Sequence, residues 1–429
     1  MNLEKIFFEL LQVAIGNKKT LSVAPQQEQW TELFALCKKH ALAAIAFTGV
    51  SRLVGVIEES DGLGSSIGID ENTYLKWLGL TAKVSQRNKI LNSECAMVCA
   101  ELAHDGLQCC VLKGQSNLVN YPEELRDCRT SGDIDLWTIP HPEGIPIAVS
   151  SGGSAEYVNY KNIAGVVEYA LQWNRLHCQN PIPWHRVLYY HVEMNTDCFD
   201  SNARKGIEIE LHYRPSYLNS PFRNLRLQRW FKENEPWGVC DANIDDQIFP
   251  ILPISTNVIY QLLHIYKHLF EEGIGLRQLL DYYFVLRALH IEQGSLDDHT
   301  QSMAQWAEGM GVAVKSNEEI MHILSRFGMK KFAAAVMYVL QTVFAMPDEY
   351  LICQPNEKEG KFLLSEILQA GNFGKYDERI KHGGTKSQHA WGKTKHNLRL
   401  LTHYPEEVLC EPFFRVYHWI WRRFELWRY

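Results

Sequence analysis

Asp133 and Asp135 lie two residues apart in Ser131-Gly132-Asp133-Ile134-Asp135-Leu136, a segment that reads as a short strand. Side chains alternate along a strand with period two, so both carboxylates point to the same side. Two like charges this close repel, and keeping both ionised costs free energy unless a cation compensates them. One or two Mg²⁺ ions carrying a polyphosphate would supply that compensation, because Mg²⁺ prefers oxygen donors and retains positions for phosphate and water. An isolated D-x-D fits an Asp-rich turn equally well, so its meaning rests on what surrounds it.

Upstream, Cys109-Cys110-Val111-Leu112 is an apolar run suited to a buried strand, followed at once by Lys113-Gly114 and by a stretch from Ser116 to about Tyr121 that suits a short helix. Pro122 to Thr130 is polar and turn-like, and Asp133 to Trp137 forms the next strand. Lys113 and Arg129 therefore flank the acidic pair. Each is a candidate for contact with phosphate oxygens, Arg129 through two parallel donors. A structural ion pair is the competing reading of Lys113, and loop solvation that of Arg126.

Two further strands are expected, Arg186 to Met194 and Gly206 to Tyr213, joined by a polar connection with Asp197, Asp200 and Asn202. In the second, Ile207, Ile209 and Leu211 alternate with Glu208, Glu210 and His212, giving one apolar and one ionisable face. Glu210 and His212 are thus neighbours on one side. An unpaired buried carboxylate is expensive, so Glu210 is either a ligand or part of a solvated face. His212 belongs beside the site or is a neutral histidine hydrogen-bonded at a strand end. His264 and His268 are four apart on a helix but lack the H-E-x-x-H pattern, and packing beside a cleft is their default reading. Arg277 and Asp281 form an i,i+4 pair whose ordinary meaning is helix support.

Helices surround these strands. Glu28 to Thr48 carries Trp30, Leu33, Phe34, Cys37, Ala41 and Ile45 at mostly three- and four-residue spacings, and reads as one helix. A Gly-, Ser- and Asp-rich loop over 58–72 precedes a long helix that Gly106 stops. Residues 140–153 are rich in Pro, Gly and Ser and read as a loop, and Ile163 to Leu176 as a helix. Helical patterns return from Thr256, break at Gly273 and Gly275, resume over Leu276 to Leu289, and recur over Gly328 to Phe344. The aromatic end with Trp419, Trp421, Arg422, Arg423, Phe424 and Trp427 reads as a partly buried helix whose arginines reach to water. The expected fold class is α+β: a small mixed-sheet core over 106–225 between helical regions 1–105 and 226–429.

Composition narrows the function. Among 429 residues, 43 basic against 50 acidic give a formal charge of -7, which disfavours general attraction to nucleic acid. Eleven cysteines without a C-x-x-C pair, a start without a signal-peptide pattern and no membrane-length apolar run point to a cytoplasmic setting. Lys381-His382-Gly383-Gly384-Thr385-Lys386 lacks the spacing of a phosphate-binding Walker loop.

Taken together, Val111-Leu112-Lys113-Gly114, Tyr121-Pro122, Arg129 and Asp133-Ile134-Asp135-Leu136 resemble the nucleotidyltransferase superfamily whose catalytic fold is like that of DNA polymerase beta. More narrowly, the L-K-G, R-x-x-x-D-I-D-L and E-L-H-Y segments, the last at Glu210 to Tyr213, look like an uncharacterised bacterial family of that superfamily. His264 to His268 and Leu276 to Asp281 resemble its downstream region, so the likeness covers roughly residues 25–290. It implies that Asp133, Asp135 and Glu210 hold Mg²⁺ and carry catalysis. It also implies a nucleotide site at Lys113, Gly114, Ser116 and Arg129, with His212, Lys267 and Arg277 walling the cleft. The superfamily usually closes its first strand with Gly-Ser, whereas this chain reads Gly114-Gln115-Ser116; either Ser116 or backbone amides replace that hydroxyl.

The expected reaction is Mg²⁺-dependent transfer of a nucleoside monophosphate from an NTP, ATP first, to a hydroxyl acceptor on a small molecule or protein. Its rival is a catalytically inactive nucleotide-binding or toxin–antitoxin-type module.

Overall fold

The computed structural model describes residues 3–61, 67–140, 145–146, 157–158, 163–177, 186–194, 206–235, 240–298, 314–377, 379 and 386–426. The chain is α+β. Its centre is a four-stranded mixed sheet built from β1 (Leu107–Val111), β2 (Ile134–Pro140), β5 (His191–Met194) and β6 (Ile209–His212). Two-residue strands β3 (Ile145–Pro146) and β4 (Tyr157–Val158) pair separately. In space the sheet runs β1-β2-β6-β5, with β1 antiparallel to β2, β2 parallel to β6, and β6 antiparallel to β5.

Register decides what each face carries. Asp135 stands beside Glu210 across the β2–β6 ladder, and Glu210 beside Glu193 across the β6–β5 ladder. Period-two alternation then puts Asp133, Asp135, Glu208, Glu210, His212, His191 and Glu193 on one face. The other face carries Ile134, Leu136, Val192, Met194, Ile209 and Leu211, buried against Leu91, Cys95, Val98 and Leu102 of α4 (Glu71–His104) and Val166, Val167 and Trp173 of α6 (Ile163–His177). Burying one face of apolar residues pins the register, because a one-residue slip would turn every carboxylate into that core.

The ionisable face is covered by α8 (Ile254–Glu271), which brings Tyr260, Gln261, His264, Lys267 and His268 over the strands. Gly273 and the following turn end α8, and α9 (Leu276–Asp298) packs beside it in a second core that also takes in α1 (Leu3–Ala14) and the helix Lys330–Phe344. Among the described residues, no helix is long and apolar enough to cross a membrane.

Three expectations are corrected. The single helix over Glu28 to Thr48 is two, α2 (Gln27–Lys39) and α3 (Ala43–Asp61), because Ala41 adopts φ 56°. Around it Leu42 N–H donates to Cys37 O and Ala41 N–H to Lys38 O, the paired bonds of a Schellman stop. The strand over Arg186 to Met194 is only His191–Met194; before it the chain turns back, Leu188 N–H donating to His191 O, so Val187 bridges Val192. The region after 226 is not all helix: β7 (Asp241–Ile244) and β8 (Gln247–Pro250) form a hairpin whose turn residues Asp245 and Asp246 both have positive φ. Its Ala242, Ile244 and Phe249 join the core beneath the sheet.

At the C-terminal end, Pro405–Leu426 is one helix. Trp421 and Phe414 lie against Tyr189, while Phe413, Val416, Trp419 and Phe424 are exposed, so the aromatic side is only half covered. Trp427, the connection with Asp197, Asp200 and Asn202, residues 62–66 of the loop expected over 58–72, most of the loop over 140–153, and Lys381 to Thr385 lie outside the described residues.

Candidate active site

Gly114 turns the chain away from β1 with φ +67°, a conformation L residues rarely adopt, and opens a short 3₁₀ helix (Gly114–Asn120). That turn is held to α8, since Gln261 Nε2 donates to Leu112 O at 3.1 Å and to Asn117 Oδ1 at 3.2 Å. Lys113, just before it, projects onto the ionisable face. Its Nζ lies 3.0 Å from Asp133 Oδ2 and 3.1 Å from Asp135 Oδ2. The lysine thus serves as the counter-charge of the acidic pair.

Glu210 completes the group. Oxygens of Asp133, Asp135 and Glu210 all lie within 4.8 Å of one another, close enough to share one or two ions. Asp135 is 1% exposed, whereas Asp133 and Glu210 are partly open to the cleft. Burial and then the neighbouring Asp133 charge push the Asp135 carboxyl up to about 6. Burial also works against ionised Glu210, but the histidines His191 and His212 outweigh it and hold that carboxyl well below its ordinary range. For Lys113, burial is outweighed by Asp133, Asp135 and Glu210, so its ammonium is held firmly charged. The three oxygens are hard donors, and Asp135 Oδ2 has no hydrogen bond beyond its ion-pair contact with Lys113, so the set fits Mg²⁺.

His212 is in the site as well. Its Nε2 lies 3.0 Å from Asp135 Oδ1 and 3.1 Å from Glu210 Oε2. Burial disfavours its charged form, but bonds to those two carboxylates raise its pKa above the usual histidine value. Asp133, Asp135, Glu210 and His212 line a cleft of about 720 Å³ with Lys113, Glu208, His264, Lys267 and His268. Lys267 Nζ sits 3.4 Å above the Tyr190 ring, and burial lowers its pKa against the pull of Glu271. His264 and His268 are buried and held well below the ordinary histidine pKa by that burial.

The remaining predicted residues sit differently. Arg129 is held by a fork: Nε and Nη2 each donate to Asp281 at 2.7 Å, and Nη1 donates to Ser131 Oγ at 2.9 Å, while the residue lines a small pocket with Gly114 and Asp133 beside the cleft. Asp281 therefore pairs with Arg129 rather than with Arg277 one turn earlier. Arg277 instead donates to Thr130 O and lies near Phe373 in a small neighbouring pocket with Gly114 and Asp133. Ser116 is buried, and its Oγ has no hydrogen-bond partner.

Sequence reading passed over His191. It stands opposite His212 in the ladder, 2% exposed, with Nδ1 3.5 Å from Glu210 Oε2. A signal was present: His191-Val192-Glu193 is the mirror of Glu210-Leu211-His212, so antiparallel pairing sets like beside like. Asn88 of α4 was also passed over; its Nδ2 donates to Asp127 O and Arg129 O, fixing the loop ahead of Asp133.

A family model described as an uncharacterised nucleotidyltransferase matches residues 26–305, which span the sheet, α8 and α9. Comparison with curated proteins and with solved structures gave no match.

Proposed function

Since the chain belongs to this family of uncharacterised nucleotidyltransferases, we propose that it moves a nucleoside monophosphate from an NTP, ATP first, to a hydroxyl acceptor in the cytoplasm. The observation that carries this reading is the convergence of Asp133, Asp135 and Glu210 oxygens within 4.8 Å on adjoining strands. These three would hold Mg²⁺. When bound, the ion supplies charge neutralisation for the phosphate oxygens and the leaving pyrophosphate.

The protein's own groups divide the remaining work. Lys113, now spent on the acidic pair, turns to the phosphate oxygens once the carboxylates are otherwise compensated. Gly114 supplies the left-handed backbone, φ +67°, that turns the chain beside Asp133 and Arg129. Arg129, fixed by Asp281 and Ser131 beside Gly114 and Asp133, holds the Ser131–Asp133 segment and stands where it reaches a phosphate oxygen. Glu210, beside the acceptor's side of the cleft, takes up the proton of the attacking hydroxyl.

Tyr190, Lys267 and Glu271 line both the 720 Å³ cleft and an adjoining cavity of about 220 Å³ that reaches Tyr217, Lys393 and Phe414. The acceptor enters there, as a small polar molecule or a protein side chain. The catalytic unit is taken as 106–225, with regions 1–105 and 226–429 walling it.

The test is calorimetric titration with a nonhydrolysable ATP analogue, with and without Mg²⁺, alongside pyrophosphate release over a panel of acceptors. Wild type should bind only with Mg²⁺, and both Asp133→Ala and Glu210→Ala should lose that dependence. Unchanged binding in both variants sinks the reading. Intact binding without pyrophosphate release from any acceptor points instead to the nucleotide-binding module that does not turn over.

A further inference from the structure

Beside the acidic group, the β5–β6 ladder aims two imidazoles at one carboxylate. His191 Nδ1 lies 3.5 Å, and His212 Nε2 3.1 Å, from the same oxygen, Glu210 Oε2, and the three donor atoms are within 4.8 Å of one another. We propose that His191, Glu210 and His212 form a second metal site, selective for Zn²⁺ over Mg²⁺, that shares Glu210 with the acidic group.

Spacing supports this. An ion held at about 2.0–2.1 Å by tetrahedrally placed ligands separates neighbouring donors by about 3.3–3.4 Å, so these side chains stand near their liganded positions already. The donor set favours Zn²⁺ over Mg²⁺, because imidazole suits Zn²⁺ and the other later first-row ions whereas Mg²⁺ takes oxygen. Two histidines and one glutamate leave a fourth position open, and Glu210 and His212 line the cleft from which water or a substrate oxygen would fill it.

Hydrogen bonding supports it too. Both rings are almost wholly buried, yet among the described residues neither nitrogen of His191 has a hydrogen bond and Nδ1 of His212 has none. Buried polar atoms without partners are costly and call for a reason. His40 and His268 are also buried without hydrogen bonds, but His40 stacks on Phe7 and, among the described residues, faces no carboxylate within ion-pair distance, and His268 meets a single carboxylate, Glu272, at 3.8 Å. The pair at the sheet faces one oxygen from two sides. Beyond it, His191 Nε2 lies 3.8 Å from Glu193 Oε1, the kind of outer carboxylate that orients a metal-bound imidazole.

The test uses chelator-treated full-length protein loaded with one equivalent of Zn²⁺ and examined by X-ray absorption. The expected shell has two imidazole nitrogens and one or two oxygens at about 2.0–2.1 Å. An oxygen-only shell, sulfur ligation near 2.3 Å, or failure to retain the ion overturns the proposal. His191→Ala and His212→Ala should each weaken Zn²⁺ binding by at least about 100-fold, the upper end of what losing an outer-shell partner does. Equal affinity in both overturns it. If a variant fails to fold, as judged by circular dichroism, the wild-type absorption spectrum decides. Asp133→Ala separates the two readings: it should abolish Mg²⁺-dependent nucleotide binding while leaving the Zn²⁺ shell intact. Failure of the first effect, seen in Glu210→Ala as well, removes the nucleotidyl-transfer reading alone, and failure of the second removes the zinc site.

Discussion

Arg129 and Asp281, 152 residues apart in the chain, close on each other through two contacts of 2.7 Å in the buried space between the acidic loop and α9. Tyr121 adds its hydroxyl to the same carboxylate at 2.6 Å. Removing one partner of such a pair leaves the other charged and desolvated, which costs about 3–5 kcal/mol. Asp281→Ala should therefore lose stability of that size in urea denaturation. Replacing the pair together, Arg129→Met with Asp281→Leu, should recover much of it. A loss under about 1 kcal/mol in the single variant would show that the pair does not hold the loop, since exposed pairs contribute that little.

Asp135 differs from Asp281 in having a like charge, Asp133, beside it as well as its partners Lys113 and His212. Asp135→Asn keeps the shape and removes one of three converging negative charges. The variant should fold with a melting temperature close to wild type, yet lose Mg²⁺-dependent nucleotide binding by about 100-fold or more, roughly 2.7 kcal/mol. Calorimetry and a thermal melt on the same sample check both halves. Unfolding would mean that Asp135 is structural; unchanged binding would remove it from the site.

Lys113 occupies the place between Asp133 and Asp135 that a cation needs. If it competes there, Lys113→Ala should bind Mg²⁺ about ten-fold more tightly without nucleotide, a change of about 1.4 kcal/mol, and bind the ATP analogue more weakly. Weaker Mg²⁺ binding would instead show that the ammonium organises the carboxylates.

How much of this was legible follows from range. Asp133 with Asp135, and Glu210 with His212, reveal their common faces because strand period acts over two residues. The apolar alternation of Ile207, Ile209 and Leu211 likewise identifies which side is buried. That Asp135 stands beside Glu210, however, is a matter of ladder register, on which spacing within either strand is silent. The partner of Arg129 is harder still. Asp281 has Arg277 one turn away, and only the docking of α9 on the acidic loop shows which arginine takes its carboxylate. His191 was hidden by the Arg186–Met194 segment, whose early turn moves the strand start to His191 itself.

The break between α2 and α3 was illegible for a local reason. A left-handed helix stop usually announces itself by glycine, and this chain places Ala41 there with φ 56°. Alanine pays a steric penalty in that region that glycine does not. Ala41→Gly should therefore stabilise the protein by about 1 kcal/mol and raise the melting temperature by about 1 °C. An unchanged or lower midpoint would show that the neighbouring Leu42 and Cys37 contacts, not the backbone, set the stop.

Glu407 offers a pH test in the wall of the 220 Å³ cavity that adjoins the cleft. It is 1% exposed; Asn219 N–H donates to one oxygen at 2.7 Å, while the other has no hydrogen bond and lies 3.9 Å from Arg223 Nη1. Burial raises its carboxyl from 4.5 to about 7. A group that holds its proton more tightly folded than unfolded makes stability fall as pH rises through the interval between those values. Its contribution is therefore intact below about pH 4.5 and lost as pH rises through about 7, a span worth at most about 3 kcal/mol. Glu407→Gln keeps the shape without the proton. Urea denaturation from pH 4 to 8 should find the two proteins alike at the acid end, with the variant more stable at pH 8. A difference that stays flat across that range would mean that Glu407 is ionised in the fold at acid pH, with Arg223 sufficient to compensate it.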